Sequence, residues 1–196
     1  MKVAGQSKKW LINVSVYSLA GSVSSALVGA LLGLAGKLVV PTVGSFGVWL
    51  ALGVAVATLA RESGWLTFRL PQLRRQTRDV WSKLFAGPVA AALWGFDLGL
   101  IFTTWLTFSG VWLLVVVALL SRSAAFGAAL FATYWLGRAL TVWIAPFLLQ
   151  DANHTPYLLD EIAGQYRLFQ RMHALGLGCA MIILVLMLIR GVAIGS

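Results

Sequence analysis

Two ionisable side chains stand inside stretches that are otherwise almost free of charge: Asp97 in residues 87–121 and Arg138 in residues 123–150. A charge at mid-bilayer depth costs roughly 2.5–3.5 kcal/mol on insertion scales, so such a residue faces a partner or water. Each has polar neighbours at helical spacing, Trp94 and Thr104 beside Asp97 and Tyr134 and Thr141 beside Arg138. Three roles fit: a structural ion pair between two helices, a midplane site for a solute or proton that Thr103 and Thr104 would help to line, or contact with a partner subunit or lipid headgroup.

Other chemistry is scarce. The two histidines, His154 and His173, lie outside the apolar runs, with no Ser/His/Asp spacing or acidic pair beside them. They are too few and too far apart for a metal site of usual spacing. A lone cysteine, Cys179, excludes an intrachain disulfide and a Cys-x-x-Cys redox pair. The glycine-rich stretches lack the Gly-Lys-Ser/Thr ending of a phosphate loop. No catalytic group, metal or cofactor is therefore expected.

The elements that must position these residues are apolar runs. Residues 11–36 carry no charge over 26 positions, more than the roughly 20 a membrane helix needs. Further runs follow at 43–60, 87–121, 123–150 and 174–189, and the mean hydropathy is +0.87. The runs are apolar all round rather than alternating, so of the two structures that satisfy the backbone in lipid, helices fit and a barrel does not. The expectation is a single all-α polytopic membrane domain over 1–196. The first run has a basic start and small residues at Ser24 and Ala26, but extends too far for a signal core. It reads as an uncleaved anchor.

The net charge of +9 is spread between the runs rather than along one basic face, which argues against a nucleic-acid partner. Lys2, Lys8 and Lys9 precede the first run, and Arg61, Arg69, Arg74, Arg75, Arg78 and Lys83 crowd the linker 61–86, against Glu62 and Asp79. Basic residues in short loops stay cytoplasmic, which places the N-terminus and this linker inside, in contact with anionic lipid. Lys37 alone marks the loop on the other side.

Small residues recur every fourth position at Gly21, Ser25, Gly29 and Gly33, again at Gly95, Gly99 and Thr103, and at Thr133, Gly137, Thr141 and Ala145. Such a face lets a neighbouring helix approach closely. The run 87–121 would be about 52 Å long as one helix. It divides into two crossings at Ser109-Gly110, giving six in all, or forms one crossing of two half-helices broken around 103–110, giving five. Residues 157–173 place Leu158, Ile162, Tyr166, Phe169 and His173 on one face and Asp160, Glu161, Arg167 and Arg171 on the other, the pattern of an interfacial amphipathic helix.

The order of these elements is informative. Spaced glycines in 17–36 are followed by the apolar 43–60 and by Leu70-Pro71-Gln72-Leu73-Arg74-Arg75. Then come Leu93-Trp94-Gly95-Phe96-Asp97-Leu98-Gly99-Leu100 with Phe102-Thr103-Thr104, and Gly127, Leu130, Tyr134, Leu136 and Gly137 before Pro146. From about Tyr17 onward this resembles the CcdA family of cytochrome c biogenesis proteins and the DsbD membrane domain, thiol-reductant conduits of two inverted three-helix repeats. The resemblance implies a broken helix at 87–121, hence five crossings and an outside C-terminus. The family's Pro-Cys motifs are not matched: Thr103-Thr104-Trp105 stands where one belongs, the first helix with the other is missing, and Cys179 matches neither. Thiol exchange needs two sulfurs in attack range, so redox activity is not implied.

Two function classes remain. One is a non-enzymatic subunit or assembly factor of a larger complex in a bacterial inner membrane, with lipid and protein partners. The other is a small-solute or ion transporter with Asp97, Arg138, Thr103, Thr104 and Tyr134 at a midplane site, as discontinuous helices often provide.

Overall fold

The computed structural model describes residues 8–40, 45–67, 80–101, 109–148 and 166–191. Among the described residues every regular element is a helix: α1 (Lys8–Val39), α2 (Ser45–Glu62), α3 (Val80–Leu84), α4 (Gly87–Gly99), α5 (Val111–Ser121), α6 (Ala124–Leu148) and α7 (Tyr166–Ile189). Lys8–Val39, Ser45–Glu62 and Gln170–Ile189 are long and apolar enough to cross a membrane, and Val111–Ser121 is a shorter apolar helix.

Local chemistry sets the ends. α1 stops ahead of Pro41, whose ring disfavours a helical residue before it. α2 closes through Gly64 at φ 80°, with the Trp65 and Leu66 N–H groups both donating to the Ala60 carbonyl. Pro88 in the first turn of α4 suits a position whose N–H would be unbonded in any case. α4 ends at Gly99, and the buried Ile101 adopts φ 62°, a left-handed conformation that a β-branched side chain rarely takes. The run 87–121 is thus two helices rather than one. A tight turn joins α5 to α6: Arg122 is left-handed at φ 53°, and the Ser123 hydroxyl accepts from the Phe126 N–H at 3.3 Å.

The chain forms two compact units, to both of which α1 and α6 contribute. The first comprises Met1–Ala26, Leu73–Trp105 and Phe131–Tyr166. Here α4 runs in the same direction as α1, with no room between the backbones. A methyl at Gly95 would lie 3.0 Å from the Tyr17 carbonyl carbon, and one at Gly99 2.8 Å from the Gly21 Cα. α6 runs antiparallel to α1. The Trp135 ring fills the space that Gly21 leaves, and its indole N–H donates to the Ser18 carbonyl at 2.9 Å. The Ser25 hydroxyl donates to the Phe131 carbonyl at 2.7 Å, and Trp143 donates to the Ser18 hydroxyl at 3.0 Å.

The second unit comprises Leu27–Gln72, Leu106–Leu130 and Arg167–Ser196. Its core joins Val48, Ala51 and Ala55 of α2 to Leu113 and Leu120 of α5 and Leu177 and Leu184 of α7. No residue of α5 is exposed. At 11 residues this helix is about 16 Å long, short of the roughly 30 Å hydrocarbon core. The second half of α1 meets α6 at Gly127 and the α5–α6 turn: methyls at Gly33 and Gly36 would lie 2.6 Å from the Ser123 carbonyl carbon and 2.7 Å from that of Leu119.

Two expectations change. No break follows His173: α7 continues from Tyr166 to Ile189, because no proline or cap interrupts the passage from amphipathic to apolar sequence. The earlier part of the expected interfacial helix, 157–165, lies outside the described residues. On α6, Thr133, Gly137 and Thr141 point outward, and a methyl at Gly137 would meet nothing within 4 Å. The packed face is Gly127, Phe131 and Trp135, which fits bulky rings against small residues of α1 rather than small against small.

Candidate functional site

Arg138 lies one turn beyond Tyr134 and Trp135 on α6, so the three share a face. Its guanidinium stands over the Trp135 ring, 5.9 Å from the centroid, a cation–π arrangement. It is close enough to act electrostatically on the Tyr134 and Tyr17 phenols. Tyr17 packs against Trp135 at 5.2 Å between ring centroids. Arg138 Nη1 is buried and has no hydrogen-bond partner among the described residues. The result is a cation over one aromatic face, with two phenols in electrostatic range, where α1 and α6 meet.

Asp97 is 6% exposed on α4, and by helical periodicity it projects from the side opposite the Gly95–Gly99 stripe. Among the described residues no ion pair joins it to Arg138; the pair present links Arg61 to Glu62 at 3.2 Å. Thr103, Thr104, Arg69, Arg74, Arg75 and Arg78 lie outside the described residues, while Lys83 is exposed on α3.

A second polar cluster gathers the end of α2, the start of α5 and the first turns of α7. Glu62, 4% exposed, accepts from the Ser109 N–H at 2.8 Å and from the Ser109 hydroxyl at 2.6 Å. The Gln170 amide donates to the Glu62 carbonyl oxygen. The His173 ring sits on Gly110, where an added methyl would lie 2.8 Å from Nε2, and feels the Glu62 charge. The carboxylate thereby faces the N-terminus of α5, where the helix dipole favours negative charge. In a nucleophilic triad the histidine takes the hydroxyl proton and the carboxylate orients the histidine. Here the serine donates to the carboxylate itself, which makes the cluster a clamp on three helices rather than an activated nucleophile.

Counting Glu62 as a counter-charge of the basic linker overlooked this clamp. A signal was available: Ala51, Ala55, Thr58 and Glu62 follow one another at helical spacing, and all four are buried. That face carries the glutamate inward.

These features define a helical protein built around apolar helices, with charged groups buried on helix faces and no metal-binding cluster among the described residues. No family model matches the chain, and no solved structure matches it. It is similar in sequence to the methylamine utilization protein MauF of Paracoccus versutus, with 32% identity over 126 residues. The matched stretch is 64% of this chain and 45% of that protein, less than half the relative's length.

Proposed function

We propose that this chain is a non-enzymatic component of a bacterial inner membrane, a subunit or assembly factor of a larger complex that serves the utilization of a small amine. The similarity to MauF carries this reading. The sequence supports it through the lone cysteine, exposed on α7, which lacks the second sulfur that a thiol relay needs. We read the arrangement as CcdA-like, with five crossings, a cytoplasmic N-terminus and basic linker, and an outside C-terminus. In support, α5 is too short to span the hydrocarbon core by itself.

Two measurements test the proposal. The tagged chain, gently solubilised from its native membrane, should comigrate with other membrane proteins on a native gel, and its deletion should impair growth on methylamine. Migration as a discrete small homo-oligomer with unimpaired growth would reject it. A reporter fused after Ser196 that is active only in the cytoplasm would reject five crossings in favour of six.

A transporter is the second reading, favoured by the burial of Asp97 beside the left-handed backbone of Ile101, where α4 stops. It predicts substrate uptake by the purified chain in vesicles, abolished by Asp97→Asn at an unchanged protein level.

A further inference from the structure

From its geometry we infer that the second unit holds a binding site for one anionic phospholipid, in a cavity of about 830 Å3 between α5, α6 and α7. The inference rests on the membrane reading above but not on the complex or the amine. The volume falls in the range of roughly 300–1,000 Å3 usual for ligand sites. More telling is how polarity is distributed in the lining. Lys37, Ser121, Arg122 and Ser123 gather at one end, where α1 finishes and the α5–α6 turn lies. From there the walls are apolar, running down to Leu113 on α5 and Leu130 on α6. From Ser121 to Leu113 is eight residues of helix, about 12 Å. A cationic, hydroxyl-bearing mouth above an apolar trough complements a molecule with a phosphate at one end and an acyl chain at the other.

Charge complementarity selects the headgroup. Among the described residues two cations line the cavity and no acidic residue does. Arg122 Nε is buried and has no hydrogen-bond partner among the described residues, a costly state for a guanidinium N–H that a phosphate oxygen would relieve. The arginine is held there by its surroundings. Its own N–H donates to the Leu119 carbonyl at 3.2 Å, and the Ser123 N–H donates to the Ser121 hydroxyl at 3.3 Å. α1 presses on the same turn through Gly33 and Gly36. In the proposed orientation this mouth faces away from the cytoplasm, the side on which lysine and arginine are disfavoured in short loops. Two cations there call for a local reason, and a phosphate supplies one.

The test is native mass spectrometry of the purified full chain in detergent, with phosphatidylglycerol or phosphatidylcholine added. One phosphatidylglycerol should be retained in preference to phosphatidylcholine, and glycerol phosphate without acyl chains should not compete. Lys37→Gln and Arg122→Gln should each reduce that preference about five-fold, the usual effect of one cation near an anionic lipid. Lys37 is exposed, so its variant folds even if the Arg122 variant does not. Ile183→Trp, at an exposed position of the cavity wall, should lower retention of both lipids. Equal retention of the two lipids by the unmodified chain would overturn the site. So would a preference unchanged in Lys37→Gln and Arg122→Gln, because the basic linker would then be its source.

Discussion

Glu62 and Ser109 form the strongest polar link between two helices of the second unit, and cutting it should be costly and non-additive. Glu62→Ala removes the acceptor of the Ser109 N–H and of its hydroxyl, in a fully buried residue, and leaves the hydroxyl only the long contact to the Thr58 carbonyl at 3.4 Å. Hydrogen bonds to a charged group contribute about 1.5–3 kcal/mol each, so the two together give about 3–6 kcal/mol. The Arg61 contact adds little, because that side chain is 26% exposed and solvent screens it. Ser109→Ala removes the hydroxyl but keeps the backbone donor, and should cost about 1.5–3 kcal/mol. The double variant should then cost no more than Glu62→Ala alone, because the hydroxyl bond is already lost, which gives a coupling energy of about 1.5–3 kcal/mol. Thermal unfolding of the detergent-solubilised proteins would read this out, at roughly 2–4 °C per kcal/mol for a chain of this size. Losses in the two single variants that simply add in the double, with coupling under about 0.5 kcal/mol, would refute the clamp.

Three further outcomes are expected. Gly36→Ala should lower both accumulation and melting temperature, because the new methyl would sit 2.7 Å from the Leu119 carbonyl carbon and overpacking costs about 1–3 kcal/mol; Gly53→Ala and Gly137→Ala, in open space, should be neutral or stabilising by up to about 1 kcal/mol. Asp97→Asn and Arg138→Gln should have additive effects on stability, since Arg138 is held by Trp135 and the tyrosines; a double variant more stable than either single one would show that the two charges meet. Cys179→Ser should leave accumulation and, under the proposed function, growth on methylamine unchanged, and loss of growth at a normal protein level would mean that a partner supplies a second sulfur.

What the sequence reveals of this fold is what depends on one helix at a time. Hydropathy alone places α1, α2 and α6 within three residues of their ends, since length and freedom from charge are properties of each segment. The division of 87–121 is legible too, because one unbroken helix of 35 residues would be about 52 Å long, well beyond the roughly 30 Å hydrocarbon core. The choice of partner is not. The small residues of α1 announce a packing face, but what fills it is the Trp135 ring, and a large side chain on α6 gives no sign that it is matched to a glycine more than 100 residues earlier. Thr133 and Gly137 looked the better match, yet they face outward. Glu62 follows the same logic. The spacing of α2 carries it inward, but that Ser109 offers it two donors is encoded by nothing in 45–62.

The pairing of α1 with α6 also has a consequence in time. Ser25 bonds the carbonyl of Phe131, and Trp135 closes on Ser18 and Gly21, so these contacts bridge 106 and 117 positions of chain. At a synthesis rate of about 5–20 residues per second, α1 waits roughly 5–20 s before its partner on α6 emerges. Through that interval the space at Gly21 that the Trp135 ring will fill is open to any helix that can approach closely. A weakened α6 therefore prolongs the exposure of α1, and the first symptom of a change at Trp135 would be aggregation or degradation during assembly rather than faster unfolding of the finished protein.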